Sequence, residues 1–186
     1  MMPIGPLMVE HRWIERVISD IQLRLGGQSP RKAIDPPYVE RVVDFLGTYA
    51  DRCHHGKEED ILFRDLSHKT LEPALGALMR QLIAEHEWAR DTTRRLVAAN
   101  ASLAVGNNDS MQDVCRLLGD LASFYPKHIQ LEDESFFRPT MAYLTTDDQA
   151  VMLEAFVKFD ASLIHEKYRR LAQALPRGAI ACLERR

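Results

Sequence analysis

Apolar residues recur every three to four positions in five stretches of the chain, and no stretch shows a sustained alternation of apolar and polar residues. A spacing of three to four residues places side chains on one face of an α-helix, whereas a half-buried β-strand needs alternation. The pattern therefore predicts an all-α protein in which each helix buries one apolar face.

Breaks in the pattern give the order of the helices. Glycines at 26–27 end the first helix, and Asp35 ahead of Pro36 supplies the N-cap and first-turn chemistry that begins the second. Capping-box spacings place the starts of the fourth and fifth helices at Ser110 and Thr146. Because short connections favour antiparallel neighbours, we predict an antiparallel up-down four-helix bundle with an additional C-terminal helix.

Length and composition favour a single soluble domain. The chain has 186 residues, of which 46% are hydrophobic and 27% charged, values typical of globular proteins. We assign residues 1–175 to the helical domain and residues 176–186 to a C-terminal tail. No apolar run reaches the ~20 residues that a membrane-spanning helix needs, so no membrane role is expected.

Charge and cysteine content narrow the functional classes. The formal net charge of −3 provides no basic surface, so no nucleic-acid partner is expected. The three cysteines, Cys53, Cys115 and Cys182, lack CxxC spacing, and the chain shows no secretory segment. Reduced thiols and a cytoplasmic location are therefore expected.

Histidines interrupt the apolar faces of four predicted helices. A single buried histidine is usually a hydrogen-bonded core residue, so the argument depends on all four pointing inward together. The histidines that share a helix face with apolar side chains are His11, His54, His86 and His128.

Two of these histidines are followed four residues later by a glutamate, as His54/Glu58 and His128/Glu132. Residues four apart lie one above the other on a helix, so each pair can offer a nitrogen and an oxygen to a metal. The phase of a regular α-helix places His55, and with it Glu59 four residues later, on the solvent side instead.

The inward polar residues favour a metal. Burying four imidazoles and two carboxylates without one would cost several kcal/mol for each unpaired ion. Imidazole with carboxylate and without thiolate suits iron, manganese or zinc, and a two-metal cluster inside a helical bundle favours iron or manganese. Zinc usually takes fewer ligands. The ligand types alone therefore leave iron and manganese both open, with zinc still possible.

Five segments, MVEHRWIE, CHHGKEEDILF, LIAEHEWAR, YPKHIQLEDESFF and IHEKY, together resemble the hemerythrin-like family of HHE cation-binding domains over residues 4–175. The resemblance implies a four-helix bundle around an oxo- or hydroxo-bridged di-iron centre with five histidines and two bridging carboxylates. It therefore implies two iron ions, with manganese or zinc less favoured. The positions that match the family's ligands are His11, His54, Glu58, His86, His128 and Glu132.

The chain departs from the oxygen-carrying members of the family at two positions. Those members have a second histidine four residues after the one in the third helix, where this chain has Arg90. A fifth histidine must then come from elsewhere or be absent, and His165 in the fifth helix is the best candidate. The carriers also use His-x-x-x-x-Asp in the fourth helix, so Asp133 is an alternative to Glu132.

The resemblance implies a protein that binds or senses dioxygen or a related small molecule, such as nitric oxide or peroxide. With five histidines, two bridging carboxylates and a bridging oxygen, a pair of six-coordinate irons keeps one open position for such a ligand. The alternative is an iron-handling or redox enzyme, acting as a ferroxidase, in peroxide reduction or in iron–sulfur cluster repair. We favour a metal- and dioxygen-binding protein over an enzyme, and a homodimer is one admissible assembly. A helical interaction module without a metal is the third hypothesis.

Overall fold

A computed structural model describes residues 2–27 and 34–174, without the side chains at 164, 166–168 and 170–174. The tail at 176–186 and the linker around Pro30 lie outside the described residues. Within these ranges the chain forms helices and no strand, as the apolar spacing predicts, and none of the helices is long and apolar enough to cross a membrane.

The described residues form five helical segments, one after another. They are α1 (Ile4–Gly26), α2 (Pro36–Phe45, continued by Leu46–His55, Glu58–Phe63 and Arg64–Ser67), α3 (Pro73–Ala104), α4 (Ser110–Gln130, continued by Leu131–Phe136, Phe137–Thr140 and the 3₁₀ turn Met141–Tyr143) and α5 (Thr146–Ala174).

Local chemistry explains where these helices begin. The Asp35 carboxylate accepts a hydrogen bond of 2.8 Å from the backbone N–H of Tyr38, which confirms the N-cap of α2. The capping box of α5 lies one residue earlier than the sequence predicts, since Thr145 and Asp148 bond each other's backbone N–H. The side-chain cap expected at Ser110 is absent, because α4 starts from Asp109 without one.

Helices α2 and α4 change from α to π geometry in their middle parts. The π-helical stretches are Leu46–His55, Glu58–Phe63 and Leu131–Phe136. A π-helix closes each hydrogen bond over one more residue than an α-helix does, and it occurs frequently at functional sites. The side chains of α2 and α4 therefore leave the phase that a regular α-helix would give them.

Two apolar clusters fill the core. The first contains Ile14, Ile18, Ala50, Leu96 and Ile129, and the second contains Leu7, Ile61, Leu82, Phe136 and Phe137, each with further apolar neighbours. In α1 and α3 the chain runs from the second cluster to the first, and in α2 and α4 it runs from the first to the second. The layer between the clusters holds the buried histidines and glutamates.

The first four helices contact one another in a closed cycle, in which α1 packs on α2, α2 on α3, α3 on α4 and α4 on α1. Helix α5 packs on the π-helical part of α2. Gly56 permits this contact, because a Cβ atom at that position would lie 2.7 Å from Cζ of Phe159. The absence of a side chain at Gly56 thus allows α5 to lie close to α2.

We expect Gly56→Ala to lower the free energy of unfolding by about 1–3 kcal/mol, because the Phe159 ring must leave its packed position. Gly47→Ala is the matched control in the same helix, since its Cβ would meet nothing within 4 Å. Gly47→Ala should be neutral or stabilising by up to about 1 kcal/mol. Urea titration of both variants measures the difference, and equal stability of the two would contradict the role given to Gly56.

Candidate metal centre

The layer between the two apolar clusters contains all six residues that the family motif matches. Every one of these side chains is at most 2% exposed, so their expected inward orientation is confirmed. They come from four helices: His11 from α1, His54 and Glu58 from α2, His86 from α3, and His128 and Glu132 from α4.

A fifth histidine, His55, also lies in this layer. Its phase in a regular α-helix predicts instead that it faces solvent. Its side chain is 1% exposed, and its ring stacks on His86 with centroids 3.9 Å apart. The reason is the π-helical stretch Leu46–His55, whose extra residue per turn lets consecutive positions 54 and 55 both face inward. The assignment of His55 to the surface is therefore wrong.

His165 does not reach the centre. The structure places its side chain on the exposed side of α5, and among the described residues it belongs to no cluster of potential metal ligands. The fifth inward histidine is thus His55, the second histidine of the segment CHHGKEEDILF. Asp133, the alternative fourth-helix ligand, also lies outside these groups and bonds His11 from behind.

The inward side chains form two groups that could each hold a metal ion. His55, His86 and His128 form a three-histidine group, and His11, His54, Glu58 and Glu132 form a two-histidine group. In each group one ligand atom per residue lies within 4.8 Å of every other. Imidazole nitrogens and carboxylate oxygens at such distances suit divalent iron, manganese or zinc.

Both glutamates reach from one group to the other. Oε1 of Glu58 lies 3.4 Å from Nε2 of His54, while its Oε2 lies 3.5 Å from Nε2 of His86. Oε2 of Glu132 lies 3.1 Å from Nε2 of His11, while its Oε1 lies 3.3 Å from Nε2 of His128. Each carboxylate therefore offers one oxygen to each group of histidines.

Four of the five imidazoles are held from behind by a carboxylate on the neighbouring helix. Nδ1 bonds join His54 to Glu10 at 3.0 Å, His86 to Glu59 at 2.6 Å, His128 to Glu85 at 2.7 Å and His11 to Asp133 at 2.8 Å. Donating Nδ1–H outward leaves Nε2 with its lone pair pointing inward, which fixes the tautomer a metal ligand needs.

These four bonds form a ring around the centre. A carboxylate of α1 holds the histidine of α2, one of α2 holds that of α3, one of α3 holds that of α4, and one of α4 holds that of α1. His55 stands outside the ring, because its Nδ1 is 3.7 Å from Asp51, whose carboxylate accepts a bond of 2.6 Å from Arg90.

Inside the layer the polar atoms lack partners. Among the described residues, the buried side-chain atoms without a hydrogen bond include both oxygens of Glu58 and of Glu132 and the Nε2 atom of every inward histidine. Buried polar groups are nearly always paired, so a cluster of unpaired atoms aimed at one space needs an explanation. A bound cation supplies it, and these residues fit one.

Burial and neighbouring charges shift the pKa values of side chains within the layer. Burial and the nearby Glu132 carboxylate raise the pKa of Glu58 well above its usual range. Burial would lower the pKa of His11, but the Asp133 and Glu132 carboxylates raise it to about 9. Burial and the charge of His86 lower the pKa of His55 to about 3, so its imidazole is neutral.

The sequence analysis missed the outer carboxylates and one buried lysine. The buried lysine is Lys57, which is 1% exposed and forms ion pairs with Glu10 and Asp160. The signal for two of the carboxylates was present, since Glu10 and Glu85 each directly precede a ligand histidine. Each of these glutamates, however, bonds a histidine of another helix, which sequence spacing does not reveal.

A cavity of about 450 Å³ leads from the surface to His55. Among the residues lining it are Gly47, Asp51, Arg90 and Tyr125. His55 is therefore the inward histidine beside this cavity and the one without a hydrogen bond to hold it.

We expect His55→Ala to weaken metal binding at the three-histidine group by more than about ten-fold, since even outer partners of metal ligands contribute ten-fold or more. His165→Ala should leave metal content and affinity unchanged, because that side chain is exposed. Elemental analysis after anaerobic loading with ferrous iron, followed by dialysis, measures both. The opposite ranking of the two variants would show that the fifth ligand is misassigned.

Comparison with known proteins gives one match. The sequence profile of the family described as Hemerythrin HHE cation binding domain matches residues 2–138. No curated protein and no solved structure matches the chain. The matched region contains all five inward histidines and both inward glutamates. The chain therefore belongs to the hemerythrin HHE cation-binding family, and it carries the histidine and glutamate groups that could bind the cation.

Proposed function

We propose that this protein holds two iron ions in an antiparallel four-helix bundle and uses them to bind or sense dioxygen or a related small molecule. The observation that carries the proposal is the pair of buried glutamates, each offering one oxygen to either group of histidines. The alternating direction of α1 to α4 between the apolar clusters supports the antiparallel arrangement.

The number and type of ligands favour iron over zinc. Zinc in proteins is usually four-coordinate, often with thiolate among its ligands. The layer instead offers five imidazoles and two carboxylates. Paired carboxylates and histidines on facing helices are the usual setting of di-iron and di-manganese sites. Manganese accepts the same ligands, so the distinction between it and iron rests on availability in the cell.

An open position for a small molecule would lie at the two-histidine group, because it has one imidazole fewer than the other group. Its surroundings are apolar, since the His11 ring stacks on Phe137 with centroids 5.6 Å apart and Leu7 is fully buried one turn away. Iron there supplies a Lewis-acidic, redox-active partner for a diatomic ligand or peroxide. The apolar walls exclude water and disfavour charged or bulky ligands.

The alternative, an iron-handling or redox enzyme, has one observation in its favour. The cavity of about 450 Å³ ends at His55, which has no hydrogen bond to hold its ring. A weakly held ligand at the end of a solvent cavity could let iron enter and leave. The ring of carboxylates holding the other four histidines favours a retained centre instead.

Metal loading should stabilise the fold, because a cation pairs with the buried carboxylates that otherwise repel each other. We expect about two irons per chain and a higher midpoint of thermal unfolding in the loaded protein. A ligand at one hundred times its dissociation constant adds about 2.7 kcal/mol. Calorimetry of metal-free and iron-loaded protein tests this, and a metal-free protein of equal stability would argue against a metal site.

Exposure of the anaerobically reduced, iron-loaded protein to dioxygen separates the two functions. A carrier or sensor should give an absorbance change that reverses when oxygen is removed. Nitric oxide should then compete for the same position. Irreversible oxidation with release of iron to a chelator would instead support the iron-handling alternative.

A further inference from the structure

Lys57 is a buried lysine that directly precedes Glu58 in the sequence. Its ammonium, however, bonds groups outside the layer of inward histidines and glutamates. Its ammonium donates to Oε1 of Glu10 and, at 2.9–3.0 Å, to the carboxylate of Asp160 on α5. The other oxygen of Glu10 bonds Nδ1 of His54 at 3.0 Å. Asp160 also accepts a 3.3 Å bond from the Cys53 thiol.

These contacts form one continuous chain from the last helix to the centre, Asp160–Lys57–Glu10–His54. Glu10, Cys53 and Asp160 are close enough together to hold a cation, and the Lys57 ammonium already bonds both carboxylates. Burial would lower the pKa of Lys57, but its bonds to Glu10 and Asp160 raise it, so the ammonium stays charged. This cluster is therefore an ion-pair network, with Lys57 as its cation, and not a third metal site.

The equivalent contact at the other histidine of the same group is built differently. Arg12 donates to Asp133 at 2.6 Å, and Asp133 bonds Nδ1 of His11, so the order of groups is the same. The Arg12 side chain, however, is 55% exposed, whereas that of Lys57 is 1% exposed. Exposed ion pairs contribute little because water replaces them, whereas a buried charge that loses its partner is costly.

Helix α5 is fixed at this network by packing as well as by charge. Phe159 lies against Gly56, and the Lys57 ammonium lies 5.9 Å from the Phe156 ring centroid. Asp160 follows Phe159 directly, so its position depends on how α5 packs on α2. The helix that packs here starts after residue 138, the last residue matched to the family.

We propose that Lys57 and Asp160 are positioning residues that act through Glu10 on His54, so that the packing of α5 sets how firmly His54 is held at the two-histidine group. The inference rests on the proposed metal centre, and it adds a helix beyond the matched domain to the residues that control that centre. A signal or partner that moves α5 would change the orientation of His54 through three contacts in series, Asp160 with Lys57, Lys57 with Glu10, and Glu10 with His54.

The mechanism is loss of orientation. Without the ammonium, Glu10 has no cation to hold it and its carboxylate can rotate away from His54. The His54 ring then loses the bond that keeps the proton on Nδ1 and the lone pair of Nε2 directed inward. Loss of such an outer partner typically weakens metal binding about 10–100-fold.

The test compares iron release from the loaded wild-type protein with that from Lys57→Met and Asp160→Asn. A ferrous chelator in excess captures the released iron and gives the rate. Lys57→Met should release one of two irons about 10–100-fold faster, and Asp160→Asn should release it faster by a smaller factor, since Asp160 is 42% exposed. Asp160→Asn changes an edge residue, so it keeps the test decisive if Lys57→Met does not fold.

Two controls separate positioning from general damage. Arg12→Met removes the matching, exposed partner of Asp133, and Lys158→Met removes an α5 charge that is 80% exposed and pairs only with Glu154 among the described contacts. Neither control should change the release rate more than about three-fold, in line with the small worth of exposed ion pairs. Equal rates in Lys57→Met, Asp160→Asn and both controls would overturn the proposal.

A measurement on the metal-free protein distinguishes this inference from the proposed function. Nitrogen chemical shifts of the His54 ring should show Nδ1–H in the wild type and a mixture of tautomers in Lys57→Met. If the wild type binds no iron, the proposed function fails, and these shifts alone decide the positioning. An unchanged His54 tautomer in Lys57→Met would overturn the role of Lys57 whether or not iron binds.

Discussion

The hydrogen bond from a histidine on one helix to a carboxylate on the next is the interaction on which the rest of this structure depends. Four such bonds close a ring around the bundle, from α1 through α4 and back to α1. Each bond fixes a ring nitrogen inward and at the same time joins two neighbouring helices. The packing of the helices and the geometry of the centre are thus one arrangement, and neither can shift without the other.

The polar layer is costly for a metal-free chain. Seven imidazole and carboxylate side chains lie buried with inward atoms that have no hydrogen-bond partner, and two of them are carboxylates facing each other. Only the apolar clusters above and below the layer can offset that cost through burial of hydrocarbon surface. The layer explains why the core is divided in two, because apolar side chains in the middle would displace the ligands.

The π-helical stretches allow a short segment of α2 to supply three inward ligands. His54, His55 and Glu58 lie within a span of five positions, and a regular α-helix would turn one of the two histidines toward solvent. The extra residue per turn lets both face inward and leaves Glu58 able to reach both groups. The same segment carries Lys57 on its other side, where the contact with α5 begins.

The helical class, the N-cap of α2 at Asp35 and six of the seven inward imidazole and carboxylate side chains can be predicted from the sequence alone. The reason is that apolar spacing and the His-x-x-x-Glu pairs depend only on local geometry. Helix packing in three dimensions is what turns His55 inward, leaves His165 exposed and buries Lys57. The π-helical stretch that turns His55 inward cannot be recognised from apolar spacing, because that spacing is interpreted with the period of an α-helix. The stretch occurs where four helices converge on one polar layer. The outer carboxylates follow the same rule, since Glu10 and Glu85 serve histidines of other helices and are assigned only once those helices are packed together.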